Sequence, residues 1–503
     1  MTLSRFTFKN IKSDSVIIPS QQMFDLQERV LQFGTGILLR GLPDYFIDKA
    51  NRNGIFNGRI VVVKSTAKGD VSAFEKQDGL YTLCIRGLQN GKKMEENIIN
   101  SSISRVLSAD KEWVQILECA HNQNMQVIIS NTTEIGIQLV NDNIRHHPPV
   151  SFPGKLLAFL YERYHAFNGS AHSGMIVIPT ELIPDNGKVL ESIVLELAHL
   201  NNLEDAFIEW LETCNYFCNS LVDRIVTGKP DANTHLRLQN ELAYKDDLLI
   251  MSEPYRLWAI EGDEKIKNIL SFSQADEGVI IEPNIELHRE LKLRLLNGTH
   301  TLASALAFLA GFNTVKQAMD DEIMYGYISE VQNEIASSVP LDIEPNIAKE
   351  FCSKVLDRFK NPYIQHHWIN ITVQISSKIK MRCIPLLVKH YQTNNTPLQL
   401  IALGFAAYLF FMKPVKKVKG EFYGEMEGKE YLIQDDCAEV FMKRWETLKP
   451  SELVREVLRD RGFWDEPLNE FPGFQNAVTE KLENLIKNGA KQTIDSSLKK
   501  ELA

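Results

Sequence analysis

The sequence predicts an α/β N-terminal domain with a parallel sheet, followed by a mostly α-helical C-terminal domain. Three observations support this fold class. Short β-branched runs alternate with helical patterns in the first half of the chain, a glycine-rich turn follows the first of these runs, and helical periodicity takes over from about residue 286. Alternating strands and helices are typical of a parallel sheet covered by helices.

In the first half, four short runs rich in valine and isoleucine are predicted strands. They cover residues 30–33, 59–64, 126–130 and 175–178. A helical pattern at residues 37–52 connects the first two strands. Residues 78–108 are predicted to form a β-hairpin region inserted into this sheet.

The second half is predicted to be mostly helical. The helical patterns cover residues 286–312, 314–332, 346–358, 398–412, 437–447 and 474–487. A polar stretch at residues 273–278 precedes them, so we predict an N-terminal domain of residues 1–280 and a C-terminal domain of residues 281–503. Residues 413–436 are rich in Lys, Glu and Gly and are predicted to form a solvated loop or hairpin.

The composition excludes several classes of protein. Of the 503 residues, 44% are hydrophobic and 24% are charged, which is ordinary for a globular chain. The net charge is −10 without a long basic tract, so a nucleic-acid partner is not expected. The longest apolar run, residues 400–412, is too short to cross a bilayer, so no membrane partner is expected. The first ten residues lack a signal-peptide core, and we expect a cytoplasmic protein that is a monomer or a weak oligomer.

The cysteines do not predict a disulfide framework or a metal site. Seven cysteines are scattered along the chain. Cys214 and Cys218 could share a helix face, but no second pair of ligands lies nearby. We interpret both as buried, reduced thiols and expect no bound metal.

The glycine turn is the first candidate binding site. Phe33 is followed by Gly34, Thr35 and Gly36, and then by the predicted helix. Such a turn lets a backbone approach the pyrophosphate of a dinucleotide at a helix N-terminus, as in a Rossmann-type domain. Leu39 stands where the usual third glycine would be. Taken alone, the motif also fits a structural turn without a ligand.

The residues after the second strand bear on which dinucleotide would bind. This strand ends at Lys64 rather than at an acidic residue, and Asp70 follows a few positions later. Asp70 could reach the 2′-hydroxyl of NAD, whereas Lys64 could meet the 2′-phosphate of NADP. We favour NAD, and the alternative for Asp70 is an ordinary loop-capping aspartate.

Lys292, Asn297 and His300 form the second candidate site. On an α-helix they fall within an arc of roughly 140°. A lysine with a lowered pKa can move a proton at a carbonyl or alcohol oxygen, while Asn297 and His300 could donate hydrogen bonds to a developing alkoxide. From spacing alone, a solvated lysine and a histidine packed in the core remain open.

Together these motifs resemble the mannitol dehydrogenase family of polyol-specific long-chain dehydrogenases. The resemblance rests on Lys-x4-Asn-x2-His at residues 292–300, on Gly34-x-Gly36-x3-Arg40 and on the stretch at residues 219–225, and it covers about residues 25–490. It implies a Rossmann-type domain joined to a helical domain, NAD(H) as cofactor and no zinc.

The resemblance also implies roles for individual residues. Lys292 is expected to be the general acid/base, with Asn297 and His300 as polarising donors and Glu134 as a proton relay near the site. The alternative for Glu134 is a helix-cap or loop carboxylate. The expected cofactor-binding residues are Phe33, Gly34, Thr35, Gly36, Arg40 and Asp70.

Within the family, the stretches at residues 151–163, 221–228 and 311–319 resemble members that act on sugar acids. The implied reaction is the NADH-dependent reduction of the keto-hexuronate tagaturonate to altronate. Mannitol-type members carry an asparagine where this chain has Leu182, which disfavours a polyol substrate. The alternatives are reduction of fructuronate, oxidation of a polyol such as mannitol, and a dinucleotide-binding sensor without turnover.

A sugar-acid substrate carries a carboxylate and needs a cationic partner, ideally an arginine that can bind both oxygens. Lys378 and Arg382 are the candidates in the second domain.

Overall fold

The computed structural model describes residues 1–11, 14–66, 69–132 and 136–501. The chain forms two compact units: unit 1 comprises Met1–Gly87 and Lys92–Ile285, and unit 2 comprises Leu88–Gly91 and Glu286–Ala503. The boundary predicted at residue 280 lies slightly before the point at which the two units divide.

Unit 1 contains the β-structure that the sequence predicts and additional short strands. Its strands are β1 (Gln27–Phe33), β2 (Gly58–Lys64), β3 (Tyr81–Gln89, whose end belongs to unit 2), β4 (Lys92–Asn100), β5 (Ile103–Ser108), β6 (Val127–Ser130), β7 (Ile176–Pro179), β8 (Tyr216–Phe217), β9 (Ser220–Asp223), β10 (Val226–Gly228), β11 (Ile250–Ser252), β12 (Leu257–Glu261) and β13 (Val279–Glu282). Its α-helices are α1 (Ile37–Gly41), α2 (Pro43–Arg52), α3 (Ser72–Lys76), α4 (Trp113–Glu118), α5 (Phe152–Ala166), α6 (Asn186–Leu200), α7 (Asp205–Cys214), α8 (Ala232–Leu242) and α9 (Glu264–Ile269).

The largest sheet of unit 1 is parallel. Within the described residues its strand order is β5-β2-β1-β6-β7-β8. Successive residues of a strand face opposite sides, so Val30 enters one hydrophobic core and Leu31 enters the other. Both faces are therefore covered, which explains the nearly continuous apolar runs in the sequence. The predicted α/β class of this domain is confirmed.

The strand order reverses beside β1, because the chain first runs outward through β2 and β5 and then returns to β6 on the other side. In open parallel sheets, ligands bind at this switch point, outside the carboxyl ends of the strands. The glycine turn after β1 lies at this point.

Two sequence predictions in unit 1 need correction. The helix predicted at residues 37–52 is interrupted at Leu42, since Pro43 begins a new helix and has no backbone N–H with which to continue the first. The region at residues 78–108 is divided between two sheets: β3 and β4 are neighbours in the sheet β10-β11-β3-β4, whereas β5 is an edge strand of the main sheet. A further sheet has the order β13-β12-β9.

Unit 2 is mostly helical, as predicted. Its α-helices are α10 (Glu286–Glu290), α11 (Thr299–Leu309), α12 (Val315–Met319), α13 (Glu322–Ala336), α14 (Pro345–Phe359), α15 (Trp368–Ile371), α16 (Ile375–Arg382), α17 (Ile384–Tyr391), α18 (Gln399–Phe411), α19 (Ala438–Thr447), α20 (Pro450–Arg459), α21 (Arg461–Trp464), α22 (Phe474–Asn488) and α23 (Ala490–Glu501). The apolar helix α18 is buried along nearly its whole length and packs against α11 and α22.

Two segments of unit 2 are not α-helical. The helix predicted at residues 286–312 is not one α-helix, because Leu291–Gly298, between α10 and α11, is a π-helix. The region predicted as a loop or hairpin forms a small antiparallel sheet of β14 (Lys416–Val418), β15 (Glu421–Met426) and β16 (Lys429–Ile433). No helix of the described residues is long and apolar enough to cross a membrane.

Candidate functional site

The turn after β1 has room for a ligand at one of its glycines and not at the other. Gly34 has a φ of +131°, and a Cβ there would lie 2.8 Å from Leu39 Cδ1 and 2.9 Å from the carbonyl oxygen of Asn131. A Cβ on Gly36 would meet no atom within 4 Å. Leu39 therefore fills the space beside the first glycine, while the backbone at Gly36 is open to a pyrophosphate. This geometry fits a dinucleotide.

Arg40 lies beneath this turn rather than at its surface. The side chain is buried, its Nη1 donates a hydrogen bond to the carbonyl oxygen of Leu248 at 2.7 Å, and its guanidinium lies 5.4 Å from the centre of the Tyr81 ring. Burial is the main cause that lowers the pKa of Arg40. Of the other residues at the turn, Phe33 is fully buried against Phe152, and Thr35 is half-buried.

Asp44, in the first turn of α2, is a buried acid near Arg40. Both of its carboxylate oxygens are buried, and the side chain of Gln32 lies beside them and favours the ionised form. Burial raises its pKa to about 8, although the positive charge of Arg40 acts in the opposite direction. Burial thus favours the protonated form of Asp44 beneath the glycine turn.

Asp70 and Lys64 both make local contacts. Asp70 is exposed, and its carboxylate accepts hydrogen bonds from the backbone N–H of Ser72 at 2.9 Å and from the Ser72 hydroxyl. This is the loop-capping arrangement that the sequence left open, and these bonds lower the pKa of Asp70. Lys64 is buried, and its Nζ donates to the carbonyl oxygen of Thr66 at 2.6 Å.

The carboxyl end of β6 is held by Glu181, a residue to which the sequence analysis gave no role. The carboxylate of Glu181 accepts hydrogen bonds from the backbone N–H of Thr132 at 2.8 Å, from the Thr132 hydroxyl at 3.0 Å and from the Ser130 hydroxyl at 3.1 Å. Glu181 is itself buried. It thus holds the carboxyl end of β6 beside the glycine turn. An acidic residue three positions after a predicted strand was the available signal. Glu134 lies outside the described residues.

In unit 2, the π-helix changes the spacing of the candidate catalytic residues. A π-helix has i→i+5 hydrogen bonds, so Lys292 and Asn297 are separated by one hydrogen-bonded turn. Both residues are half-buried. His300 follows at the start of α11 and is also half-buried. Single turns of π-helix are frequent at functional sites.

Arg294 anchors this segment. Its guanidinium forms a two-point ion pair with the Glu290 carboxylate, with N–O distances of 3.0 and 3.1 Å. Its Nη1 also donates to the carbonyl oxygens of Met381 and Arg382, at the end of α16. The turn that carries Lys292 and Asn297 is therefore tied to α16.

His300 is enclosed by aromatic rings. Phe359 stacks on the imidazole with a centroid distance of 4.0 Å, and His366 and Trp368 meet it edge-on at 5.1 and 6.1 Å. The His300 Nε2 is buried and has no hydrogen-bond partner among the described residues. Burial is the main cause that holds the pKa of His300 well below its usual value, and neighbouring positive charges add to it. His300 is therefore neutral at physiological pH.

The positive charges near His300 include both residues predicted to bind a carboxylate. They come from Arg358, Arg382 and Lys378. Arg382 Nη1 donates to the Thr301 hydroxyl at 3.0 Å, and its Nε is buried without a partner among the described residues. Lys378 Nζ donates to the carbonyl oxygen of Ile371 at 2.8 Å, and burial lowers the pKa of this lysine.

Arg358 and His366 were missed because they are distant from His300 in the sequence. The pair of adjacent histidines at residues 366 and 367 was the only signal. Cys218 is buried and Cys214 is half-buried. Burial raises the pKa of the Cys218 thiol to about 12. Across the described residues, no group of three or more His, Cys, Asp or Glu side chains could hold a metal ion.

Two family models match the chain. The mannitol dehydrogenase Rossmann domain matches residues 28–272, and the mannitol dehydrogenase C-terminal domain matches residues 284–486. Among curated relatives, the altronate oxidoreductase of Halalkalibacterium halodurans is 36% identical over 485 residues, which cover 94% of each chain. The altronate oxidoreductase of Bacillus subtilis is 35% identical over 474 residues, which cover 93% of this chain and 95% of the relative.

Solved structures share the fold. Mannitol 2-dehydrogenase of Pseudomonas fluorescens, in a ternary complex with NAD and D-mannitol, matches with a TM-score of 0.69 and 21% identity, covering 99% of this chain and 100% of that one. Substrate-free D-sorbitol dehydrogenase matches with a TM-score of 0.76 and 19% identity, covering 98% and 100%.

Proposed function

This chain belongs to the mannitol dehydrogenase family, and from that premise we propose that it reduces D-tagaturonate to D-altronate with NADH, reversibly, with Lys292 as general acid/base. Curated relatives named altronate oxidoreductase support the substrate. The solved relative of the same fold that holds NAD supports the cofactor, as does the open backbone at Gly36.

One observation in unit 2 carries the chemical assignment. His300, whose Nε2 has no partner among the described residues, follows directly after the π-helical turn of Lys292 and Asn297. The charges around it are positive and come from Arg358, Arg382 and Lys378. A polar, cationic surrounding of this kind suits a substrate with a carbonyl group and a carboxylate.

We assign the transfer of the proton to the carbonyl oxygen to Lys292, because His300 is a poor proton donor. The pKa of His300 lies well below its usual value, so its imidazole is neutral and offers one N–H for a hydrogen bond. Lys292 in its ammonium form donates a proton to the carbonyl oxygen as the ketone becomes an alcohol. In the reverse direction, the neutral amine of Lys292 accepts the hydroxyl proton.

Asn297 and His300 contribute by hydrogen bonding. Their N–H groups stabilise the negative charge that develops on the carbonyl oxygen before Lys292 delivers its proton. Bound NADH supplies the hydride for the carbonyl carbon. Gly34 shapes the turn that would hold the cofactor pyrophosphate, and Gly36 gives it access to the backbone.

We assign the binding of the substrate carboxylate to Lys378 and Arg382. Arg382 uses Nη1 on Thr301, and its buried Nε has no partner among the described residues. Leu182, which is 62% exposed, offers no side-chain donor where mannitol-type relatives carry asparagine. The sugar acid is therefore favoured over a neutral polyol.

The test follows NADH oxidation by the purified protein with tagaturonate, fructuronate and fructose in parallel, with and without a chelator. We expect turnover with tagaturonate that is insensitive to the chelator. Lys292→Ala should reduce kcat by at least about 100-fold, the lower range for loss of a general acid. Lys389→Ala, which removes a surface lysine paired with Asp342, is the matched control and should retain activity.

Other outcomes would change the assignment. Turnover with fructuronate or fructose alone would keep the chemistry and replace the substrate. Full activity of Lys292→Ala would refute the role of this lysine. Tight NADH binding without turnover of any of the three substrates would favour a dinucleotide-binding sensor.

A further inference from the structure

His366 is a second imidazole next to the proposed catalytic histidine. Its ring meets His300 edge-on, with centroids 5.1 Å apart and planes at 80°. Phe359 covers a face of the His300 ring at 4.0 Å. The position of His366 therefore places a ring with two nitrogens at the border of the site in unit 2.

The backbone around His366 is held firmly. The N–H of Val315 donates to the carbonyl oxygen of His366 at 2.9 Å, and the N–H of Trp368 donates to Asn313 at 3.1 Å. Thr314 and His367 form an antiparallel bridge between these two bonds. His366 is thus a built feature of the fold rather than part of a free loop.

The charges that act on His366 are positive. Burial is the main cause that lowers its pKa, followed by Arg358, His367 and Lys378. Arg358 and Lys378 also act on His300, so the two imidazoles share the same cations. His366 is therefore a neutral donor in a positively charged surrounding.

The hydrogen-bond partners described for Lys378 and Arg382 do not neutralise their positive charges. Lys378 donates to the backbone carbonyl of Ile371, and Arg382 donates to the hydroxyl of Thr301 and the carbonyl of Asn297. These partners carry no negative charge. Asp435 favours the charged form of Lys378, but its carboxylate accepts hydrogen bonds from the backbone N–H groups of Ser376 and Cys437. Half-buried cations in such a setting favour an incoming anion.

We propose that His366 joins Lys378 and Arg382 in binding the carboxylate of the substrate, and that His366 makes the site selective for sugar acids over neutral ketoses. This inference rests on the proposed function. Lys378 has three N–H donors, of which the carbonyl of Ile371 uses one, and the neutral imidazole of His366 adds one N–H. A neutral ketose has no carboxylate, so it gains little from either donor.

The experiment compares kcat/KM for tagaturonate and fructose in three variants. His366→Phe keeps a flat ring against His300 but removes both nitrogens, and His366→Asn restores a hydrogen-bond donor. His367→Phe is the matched control, because His367 is the next residue in the chain and is exposed, whereas the ring that meets His300 is that of His366. A thermal melt of each variant shows whether it is folded.

We expect His366→Phe to lose about 10–100-fold in kcat/KM for tagaturonate, the range for a hydrogen bond to a charged group. Its kcat/KM for fructose should remain within about threefold, and His366→Asn should recover most of the loss. Binding of altronate to the NADH-loaded protein, measured by calorimetry, should weaken by the same factor, which gives a readout that does not need fructose turnover.

Equal losses on both substrates, or altronate binding that is unchanged in a folded His366→Phe, would overturn the role of His366. If the wild type nevertheless reduces tagaturonate, the proposed function stands and only the role of His366 is refuted. A wild-type protein that reduces fructose but no keto-hexuronate would overturn the proposed function, and the role of His366 with it.

Discussion

The rings of His300 and Phe359 lie face to face, with centroids 4.0 Å apart and planes inclined by 12°. The stack contributes to the burial of the imidazole, and burial is the main reason why the pKa of His300 falls well below its usual value. The folded protein therefore holds His300 neutral at pH values where an unfolded chain would bind a proton.

The first prediction concerns stability at low pH. The folded pKa of His300 is lowered, so its neutral form stabilises the protein above the unfolded pKa of about 6.5, and this contribution is lost as the pH falls below that value. When the pH is lowered from 7.5 to 5.5, the melting temperature of His300→Gln should fall by less than that of the wild type. The exposed His172→Gln should keep the wild-type pH dependence. An identical pH profile for His300→Gln and wild type would contradict a buried, neutral His300.

Asp44 should show the opposite sign. Burial raises its pKa to about 8, and the ordinary value of an aspartate is about 3.9. Between these values the folded state keeps a proton that the unfolded state has released, so stability decreases as the pH rises. Asp44→Asn removes this effect.

The measurement for Asp44 is the melting temperature of variant and wild type at pH 5 and pH 8. From pH 5 to pH 8, the melting temperature of Asp44→Asn should rise relative to that of the wild type. The relative rise should be about 2–4 °C for each kcal/mol of unfolding free energy that the wild type loses. Exposed Asp231→Asn is the control: it removes a carboxylate but keeps an oxygen that can cap α8, so its effect on the melting temperature should be the same at both pH values. If Asp44→Asn instead became less stable relative to the wild type as the pH rose, the Asp44 carboxylate of the wild type would be ionised and paired.

Much of the fold could be predicted because its elements are local. The strands β2, β6 and β7 of the main sheet are runs rich in Val and Ile, since both faces of each strand are buried. The π-helix could not be predicted from periodicity. Leu291, Leu295 and Leu296 are all buried, and leucines four and five positions apart satisfy α- and π-helical spacing equally. Tertiary contacts such as that of Arg294 with α16 distinguish the two.

The candidate site could be predicted only in part, because some of its residues come together through tertiary contacts rather than through nearness in the sequence. The motif residues around the glycine turn and Lys292 are close in sequence, whereas His366 and Arg358 reach His300 from other elements. Asp70 shows the limit of a motif, because its carboxylate is occupied by the N–H and hydroxyl of Ser72. A short-range turn bond thus competes with the long-range role that its position suggested.

The two glycines of the turn give a matched pair for the third prediction. In Gly34→Ala the new Cβ would clash with Leu39 and with the backbone of Asn131 at a positive φ, so we expect a lower melting temperature and loss of NADH binding. In Gly36→Ala the Cβ meets no protein atom, so the melting temperature should stay within about 2 °C, the effect of roughly 0.5 kcal/mol. NADH affinity, measured by fluorescence, should still fall at least about tenfold if a pyrophosphate approaches that backbone. Full affinity in Gly36→Ala would place the cofactor elsewhere.

The fourth prediction concerns Arg294, whose side chain is 8% exposed and whose partner Glu290 is 9% exposed. Arg294→Met would leave the Glu290 carboxylate unpaired and two carbonyl groups of α16 without their donor. Breaking a buried pair in this way costs about 3–5 kcal/mol, which corresponds to a fall in melting temperature of roughly 10 °C. The kcat should also fall, since the turn that carries Lys292 loses its anchor.

Two controls make the prediction for Arg294 specific. Lys316→Met removes an exposed ion pair with Asp320 in the same unit and should cost less than about 1 kcal/mol. Arg294→Met combined with Glu290→Gln leaves no buried charge, so it should recover part of the stability lost in the single variant but not the kcat. If the double variant were less stable than Arg294→Met alone, the ion pair would not be the cause. If its kcat returned to the wild-type value, the bonds from Arg294 to α16 would have no part in positioning Lys292.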